Sequence, residues 1–383
     1  MRILYHHRTQ GEEPESIHIL SIVQALEKMG HEVRIVGPSM KTMKAAGSNS
    51  KVLSSIKKYL PGLLFEVLQI LYNIISYQKL RKAIDEFKPD LIYERYALYC
   101  FAGILVSRHK NVPLVLEVNT PYAYAWAQYY KIYFPRLAKK IERWVLESAG
   151  KMITVTAAQR TFLNENHITR TDIAVCHNAI DPDAFSPAIE PSQVDGLRDA
   201  SIVVGFVGTM NRWQGIPTFK EIISHTTEAN PNIQFLMVGD GECRKELEGY
   251  LIETGRADRA IFVGRKAHAE IAALVKRMDI AVLPNSNAYG SPMKMFEYMA
   301  MGKAVIGPAV GPVNEIVEDG VTGFIIEPGD ATAMTEKILL LANNEKLRDD
   351  MSAKAKQYIL DNHTWANNAN VIIDLYNDIV KAR

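Results

Sequence analysis

"NAYGSPMKMFEYMAMGKAVIGPAVGP", residues 287–312, enters a short helix from a Gly-Ser-Pro turn and leaves it through an apolar strand closed by a second glycine turn. Ser291 reads as the N-cap, since its hydroxyl can take a first-turn N–H. Pro292 reads as the first helical position, where its fixed φ fits and its missing N–H costs nothing. Gly302 suits the left-handed residue that ends a helix. The strand that follows, "KAVIGPAV", makes this one step of a β–α alternation, so its neighbours decide the fold.

The alternation runs almost throughout. "RILYHH", "VRIVGP", "DLIYER", "VPLVLEVN", "MITVT" and "DIAVCHNAI" read as strands in the first half, and "SIHILSIVQALEKMGHEV" is apolar at helical spacing. "SIVVGFVGTM", "IQFLMVGDG", "AIFVGR" and "IAVLPNS" begin a second series. Apolar strands separated by helices imply parallel sheets covered on both faces. Between the series lies "DPDAFSPAIEPSQVDG", rich in Pro and Asp, which is the expected linker. The sequence therefore predicts an α/β protein of two doubly wound, Rossmann-like domains facing across a cleft. The expected limits are residues 1–185, residues 186–364, and a final helix at residues 365–383. Ligands of such open sheets bind at the carboxyl ends of the strands.

Length and composition agree: 383 residues suit two domains, and 48% apolar with 23% charged residues is ordinary for a globular protein. A net charge of +1 gives no field for nucleic acid. Cys100, Cys176 and Cys243 are far apart and form neither a disulfide nor a metal pattern, which suits a reducing, cytoplasmic setting. No secretory leader is read at "MRILYHH". The longest apolar stretch, residues 59–77, is broken by Pro61, Gly62, Glu66, Gln69 and Asn73, so no membrane span is expected. Residues 41–82 set Lys41, Lys44, Lys51, Lys57, Lys58, Lys79, Arg81 and Lys82 against Glu66 alone. Two readings stand open for them: a segment lying peripherally on the inner face of a membrane, or a helix packed in the first domain.

In the opening stretch Ser291, Lys294, Glu297 and Ala300 share a face at i, i+3 spacing. The amides of "GSPM", the helix dipole and the Lys294 ammonium make an anion pocket, with Gly290 letting the backbone approach. Glu297, one turn further in, can accept two hydroxyl hydrogen bonds from a diol, and a phosphate beside a diol is what a sugar nucleotide presents. The plainer reading is a solvated Lys–Glu pair.

"SPMKMFEYMAMGKAVIGPAVGPVNEIVEDGVTGFIIEPGD" resembles the donor-binding segment of GT-B glycosyltransferases of family 4. "GHEVRIVGP", "HNAIDPDAFSP", "GFVGTMNRWQGI", "FLMVGDGECRKELE", "FVGRKAHAEIAALVKRMDIAVLPNS" and "TWANNANVIIDLY" are similar to further segments of that family, in the same order, so the resemblance covers nearly the whole chain. It implies retaining transfer of a sugar from a nucleoside diphosphate sugar, with no metal and no other cofactor. Glu297 would then bind the ribose. Lys294, Ser291, Pro292 and Met293 with the nearby amides would hold the diphosphate, and Gly264 and Arg265 would lie beside the base. The acceptor would be a glycan or a lipid-linked glycoconjugate, as in polysaccharide biosynthesis. Three positions depart from the family pattern: Tyr289 stands where many members carry a sugar-contacting Glu, and Thr209 and Gln214 where many carry Arg and Lys. Arg212, in the same loop, is expected to take over charge neutralisation together with Lys294. Two further readings share the fold: a sugar-nucleotide epimerase or hydrolase, and a non-catalytic sugar-nucleotide-binding protein.

In the first domain, Gly11 lies in the loop after the first strand and His18 on the first turn of the helix. His18 is read either as a cleft-facing catalytic group or as a structural hydrogen-bonder. Glu117 and Asn119 close the apolar strand "VPLVLEVN", which favours contact with sugar or acceptor over a buried polar network. Glu94 and Arg95 end another strand, either as acceptor contacts or as an internal ion pair.

Overall fold

A computed structural model describes residues 1–9, 13–38, 62–125, 131–198 and 201–382. Gly11 and the lysines at 41, 44, 51, 57 and 58 lie outside the described residues. The chain divides into two compact units, Met1–His177 with Trp365–Arg383, and Asn178–Thr364.

The first unit is built on a six-stranded sheet of β1 (Arg2–His6), β2 (Glu32–Val36), β3 (Leu91–Arg95), β4 (Leu114–Val118), β5 (Lys151–Thr154) and β6 (Ile173–Val175), in the order β2-β1-β3-β4-β5-β6. Every pairing is parallel. β3 and β4 are buried along their whole length, so both faces are covered; this accounts for the apolar runs "LIY" and "LVL", with Glu94, Arg95 and Glu117 buried at the strand ends. The final helix, Trp365–Lys381, packs on the helix Glu13–Lys28 and on β4 and β5.

The second unit repeats the plan with β7 (Ile202–Val207), β8 (Ile233–Val238), β9 (Ala260–Gly264), β10 (Ile280–Val282), β11 (Ala304–Pro308) and β12 (Phe324–Ile326), ordered β12-β11-β10-β7-β8-β9 and again all parallel. Phe206, Phe219 and Phe235 stack edge-to-face at its centre, at 5.6 and 6.4 Å. The two sheets are the doubly wound, Rossmann-like pair that the alternation predicts.

The boundary between the units falls at His177, not at 185. Ile180 and Phe185 are buried in the second core, and the Lys276 ammonium donates to the Pro187 carbonyl at 2.6 Å. The Pro- and Asp-rich stretch is thus packed structure of the second unit. In each sheet the strand order reverses once, between β1 and β3 and between β7 and β10. The loops leaving those strands are where an open α/β sheet presents a ligand site.

Candidate active site

The loops after β7 and β10 bring together residues far apart in sequence. The Lys294 ammonium, from the helix Met293–Ala300 that follows β10, donates to Gln214 Oε1 at 2.6 Å. Gln214 Nε2 donates in turn to Thr209 Oγ1 at 2.8 Å. The ammonium lies 4.7 Å from the centroid of the Phe206 ring. Gly208, with φ +149, makes room for it, because a Cβ there would run into Lys294 Nζ. Burial pushes the Lys294 ammonium down to about 7, with the Glu297 carboxylate opposing the shift. Thr209, Gln214 and Lys294 therefore form one chain of hydrogen bonds ending in a desolvated cation.

Glu297 is 6% exposed, and its Oε1 accepts from His268 Nε2 at 3.0 Å. His268 opens the helix His268–Lys276 that follows β9, with its ring 5.4 Å from that of Phe185. The sequence reading missed His268; its one signal was a histidine on the first helical turn after the strand "IFVG". Gly264, with φ +72, closes β9 and accepts the Gly239 N–H at 2.9 Å. Arg265 beside it is exposed.

Several expectations change here. Ser291 is not the helix cap. Pro292 holds that position without a side-chain cap, and the Ser291 hydroxyl accepts the Asn178 N–H at 3.2 Å while its carbonyl accepts Asn178 Nδ2 at 2.7 Å. The amides of Tyr289 and Gly290 are both donated to Asn287 Oδ1, so they are not aimed at a ligand. What the helix leaves open is its first turn, the amides of Met293 and Lys294, which have no intrahelical acceptor. Arg212 does not join the lysine. Its guanidinium is exposed and lies 3.3 Å from Glu246, which also takes Lys220 at 2.8 Å.

In the first unit, Glu117 is the hub of a buried polar network. Its Oε1 is 2.6 Å from His18 Nε2, accepts Asn119 Nδ2 at 2.7 Å and lies 3.4 Å from Arg95 Nη1; Oε2 accepts the Tyr93 hydroxyl at 2.7 Å. Burial alone would raise this carboxyl, but the His18 and Arg95 partners outweigh it and hold the group at about 2. At 2% exposure Glu117 does not face a ligand; with Arg95 and His18 it is the internal network that the sequence held as the alternative. The His18 ring packs edge-on against Trp365 at 4.9 Å. Asn119 as a whole is only partly buried, but its Oδ1 is shut off from solvent and has no hydrogen-bond partner among the described residues.

Glu94 has no exposed surface, and its Oε2 meets His6 Nδ1 at 2.6 Å, which makes it a core group and not an acceptor contact. Cys100 completes the one cluster among the described residues whose donor atoms could hold a metal. Burial raises its thiol far above the ordinary range, and the direct His6–Glu94 bond already uses two of the donors, so hydrogen bonding accounts for the group.

Comparison with known proteins fits this geometry. The family model described as glycosyl transferases group 1 matches residues 190–358, and that of glycosyltransferase family 4 matches residues 16–184. The alpha-D-kanosaminyltransferase of Streptomyces kanamyceticus is 24% identical over 289 residues, 73% of this chain and 74% of that one. A crystal structure of a Rickettsia africae glycosyltransferase shares the fold with a TM-score of 0.75 at 18% identity, covering 100% of this chain and 99% of the other. That of Anabaena HepE in complex with UDP does so at 0.71 and 17%, covering 99% and 100%. Matched in both halves and carrying the paired parallel sheets, the chain belongs to the GT-B glycosyltransferases.

Proposed function

We propose that the protein transfers a sugar from a nucleoside diphosphate sugar to a glycan, glycolipid or other glycoconjugate acceptor, with retention at the anomeric carbon and without a metal ion. The observation that carries this reading is the desolvated Lys294 ammonium at the open first turn of a helix, one turn from the buried Glu297. When the glycosidic bond breaks, negative charge builds on the departing diphosphate. A cation and two amides already fixed in a low-dielectric setting stabilise that charge without reorganising. Glu297 takes the ribose diol, and His268, donating to Oε1, holds the carboxylate in place. Gln214 and Thr209 keep the ammonium aimed. Ser291 fixes the loop through Asn178, and Tyr289 is the residue assigned to the transferred sugar. Arg212 reaches a phosphate only by leaving Glu246, and Arg212→Ala measures whether it does.

In the first unit, the half-buried Asn119, which ends β4 and is tied to Glu117 through its Nδ2, is the group proposed to touch substrate. Glu117 and His18 act through it, as positioning residues. Crystal structures of Anabaena HepE hold UDP and UDP-glucose, which makes uridine nucleotides the first donors to try.

The test is a thermal-shift and hydrolysis screen against UDP, GDP, dTDP and ADP sugars in the presence of EDTA. Stabilisation by one series, with slow release of its nucleoside diphosphate and none in Glu297→Ala, is the expected result. No shift with any series overturns the reading. The anomeric configuration of the product, read by NMR, decides retention.

A further inference from the structure

The helix Gly62–Phe87 is packed the unusual way round over its first half. It buries Glu66, Asn73 and Ser76 and leaves Leu63, Leu64, Leu68, Leu71, Ile74 and Ile75 between 44% and 61% exposed. The cause lies in what the polar residues hold. The Glu66 carboxylate accepts the Tyr133 N–H at 2.6 Å, the Phe134 N–H at 3.0 Å and the Tyr99 hydroxyl at 2.7 Å. Asn73 donates to the Tyr99 carbonyl at 2.7 Å and accepts the amides of Phe101 and Ala102 at 2.9 and 3.1 Å. Making these bonds to buried backbone groups turns the polar face inward and the leucine face outward. Single exposed leucines mean nothing, but Leu64, Leu68, Leu71 and Ile75 form one continuous stripe at helical spacing.

A second helix, Pro135–Ser148, stands beside this one: Ile70 packs with Tyr99, Ala138 and Ile141, and the Glu66 bonds tie the segment that leads into it. It buries Ala138, Val145 and Leu146 and exposes Arg136, Leu137, Lys139, Lys140, Arg143 and Trp144. Its one inward acid, Glu142, has no exposed surface. Arg136, Lys140 and Arg143 form no ion pair among the described residues, while Lys139 lies 5.1 Å from the centroid of the Tyr124 ring and acts on the Glu142 carboxylate. The outer faces of the two helices thus combine a bare Leu/Ile stripe with unpaired cations and a half-exposed Trp.

We infer that these two helix faces form a docking surface for a lipid bilayer bearing anionic headgroups. The stripe enters the acyl boundary, Trp144 and Tyr133 sit at headgroup depth, and the lysines and arginines meet the lipid phosphates. A second copy of the chain would set the same unpaired cations against each other, which disfavours self-association through this face. Contact is flat, since among the described residues no helix is long and apolar enough to cross a membrane. The inference goes beyond the donor chemistry, and nothing in it requires that chemistry.

Flotation of the full chain with vesicles tests it, using phosphatidylcholine alone and phosphatidylcholine mixed with phosphatidylglycerol. Binding to the mixed vesicles, weaker by tenfold or more to the neutral ones, is expected. Leu71→Glu combined with Ile74→Glu should abolish it, and Arg136→Glu with Lys140→Glu and Arg143→Glu should lower it at least tenfold. Both variants change exposed side chains, so their melting temperature and nucleotide binding should match the parent. Because flotation needs no donor and nucleotide binding needs no vesicle, either property can fail alone. Absence of binding to both vesicles, equal binding to both, or unchanged binding of the Leu71/Ile74 variant overturns the proposal. So does sedimentation showing a dimer that this variant splits, which would give the face to a second copy.

Discussion

Raising the pH should weaken donor binding, and Lys294 fixes the size of the effect. Burial lowers its ammonium from 10.5 to about 7, and the groups facing it are Gln214, the Phe206 ring and the Glu297 carboxylate. A bound diphosphate adds negative charge in the same desolvated space and so favours the charged lysine. In the free protein about half of Lys294 carries its proton at pH 7, and about one molecule in a hundred at pH 9. If the bound lysine stays charged throughout, the dissociation constant rises by the ratio of 1 + 100 to 1 + 1, about fifty-fold. Calorimetry with the intact sugar nucleotide, whose diphosphate does not titrate here, reads both this slope and the proton taken up. Uptake near one proton at pH 8 is expected, measured in buffers of different ionisation enthalpy. Lys294→Met should bind weakly, with no slope and no uptake. A constant affinity from pH 7 to 9 with no proton exchange would refute the reasoning, because the lysine would then be charged before the donor arrives.

Glu297→Ala should abolish transfer while the protein keeps its cooperative melting transition; full activity in that variant removes the ribose assignment. His268→Ala takes one hydrogen bond from a buried carboxylate, worth about 1.5–3 kcal/mol, so the donor KM should rise roughly tenfold or more with a smaller change in kcat. His268→Gln should restore part of that, and an unaltered KM contradicts the positioning role. Glu142 concerns stability. Burial raises its carboxyl to about 7 against the opposing bonds of the Tyr96 hydroxyl and the Ala123 amide, which donate to Oε2. Below the unfolded value near 4.5 both states are neutral. Between there and pH 7 only the unfolded chain ionises, and stability falls by about 3 kcal/mol for a shift of about 2.5 pH units. Glu142→Gln should remove that loss, so urea denaturation should show the variant more stable than the parent at pH 8 and equal to it near pH 4. Equal stability at pH 8 contradicts a raised Glu142 carboxyl.

What the sequence made legible was whatever one element specifies by itself. Apolar runs announced the strands, since a strand covered on both faces needs no polar alternation. Lys294 and Glu297 were legible as a pair because one turn of one helix sets their spacing. His268 was not, since its meeting with Glu297 depends on where a different helix starts. Ser291 looked like a cap because local preference favours it, yet two hydrogen bonds to Asn178, 113 residues away in sequence, outweigh that preference. Arg212 reads as a phosphate ligand by position, and local sequence gives no sign of the Glu246 carboxylate on another helix that lies beside it.

The same limit explains Glu117 and Glu66, the two acids whose surroundings the sequence misplaced. A carboxylate ending a strand reads as pointing out toward a ligand, but here Tyr93, Arg95 and His18, from β3 and the helix Glu13–Lys28, converge on Glu117. A lone acid in a leucine-rich helix reads as an interruption. Glu66 instead orients the helix, because three donors from other segments need an acceptor and Glu66 meets them all. Helical periodicity tells which side chains share a face but not which face turns inward. That choice goes to the face whose removal from water leaves fewer polar groups unsatisfied. Around Glu66 and Asn73 the unpaired amides of residues 101, 102, 133 and 134 settle it in favour of the polar side. Six leucines and isoleucines are left facing outward as a consequence, so the bare stripe is dictated by backbone hydrogen bonding before any partner is considered.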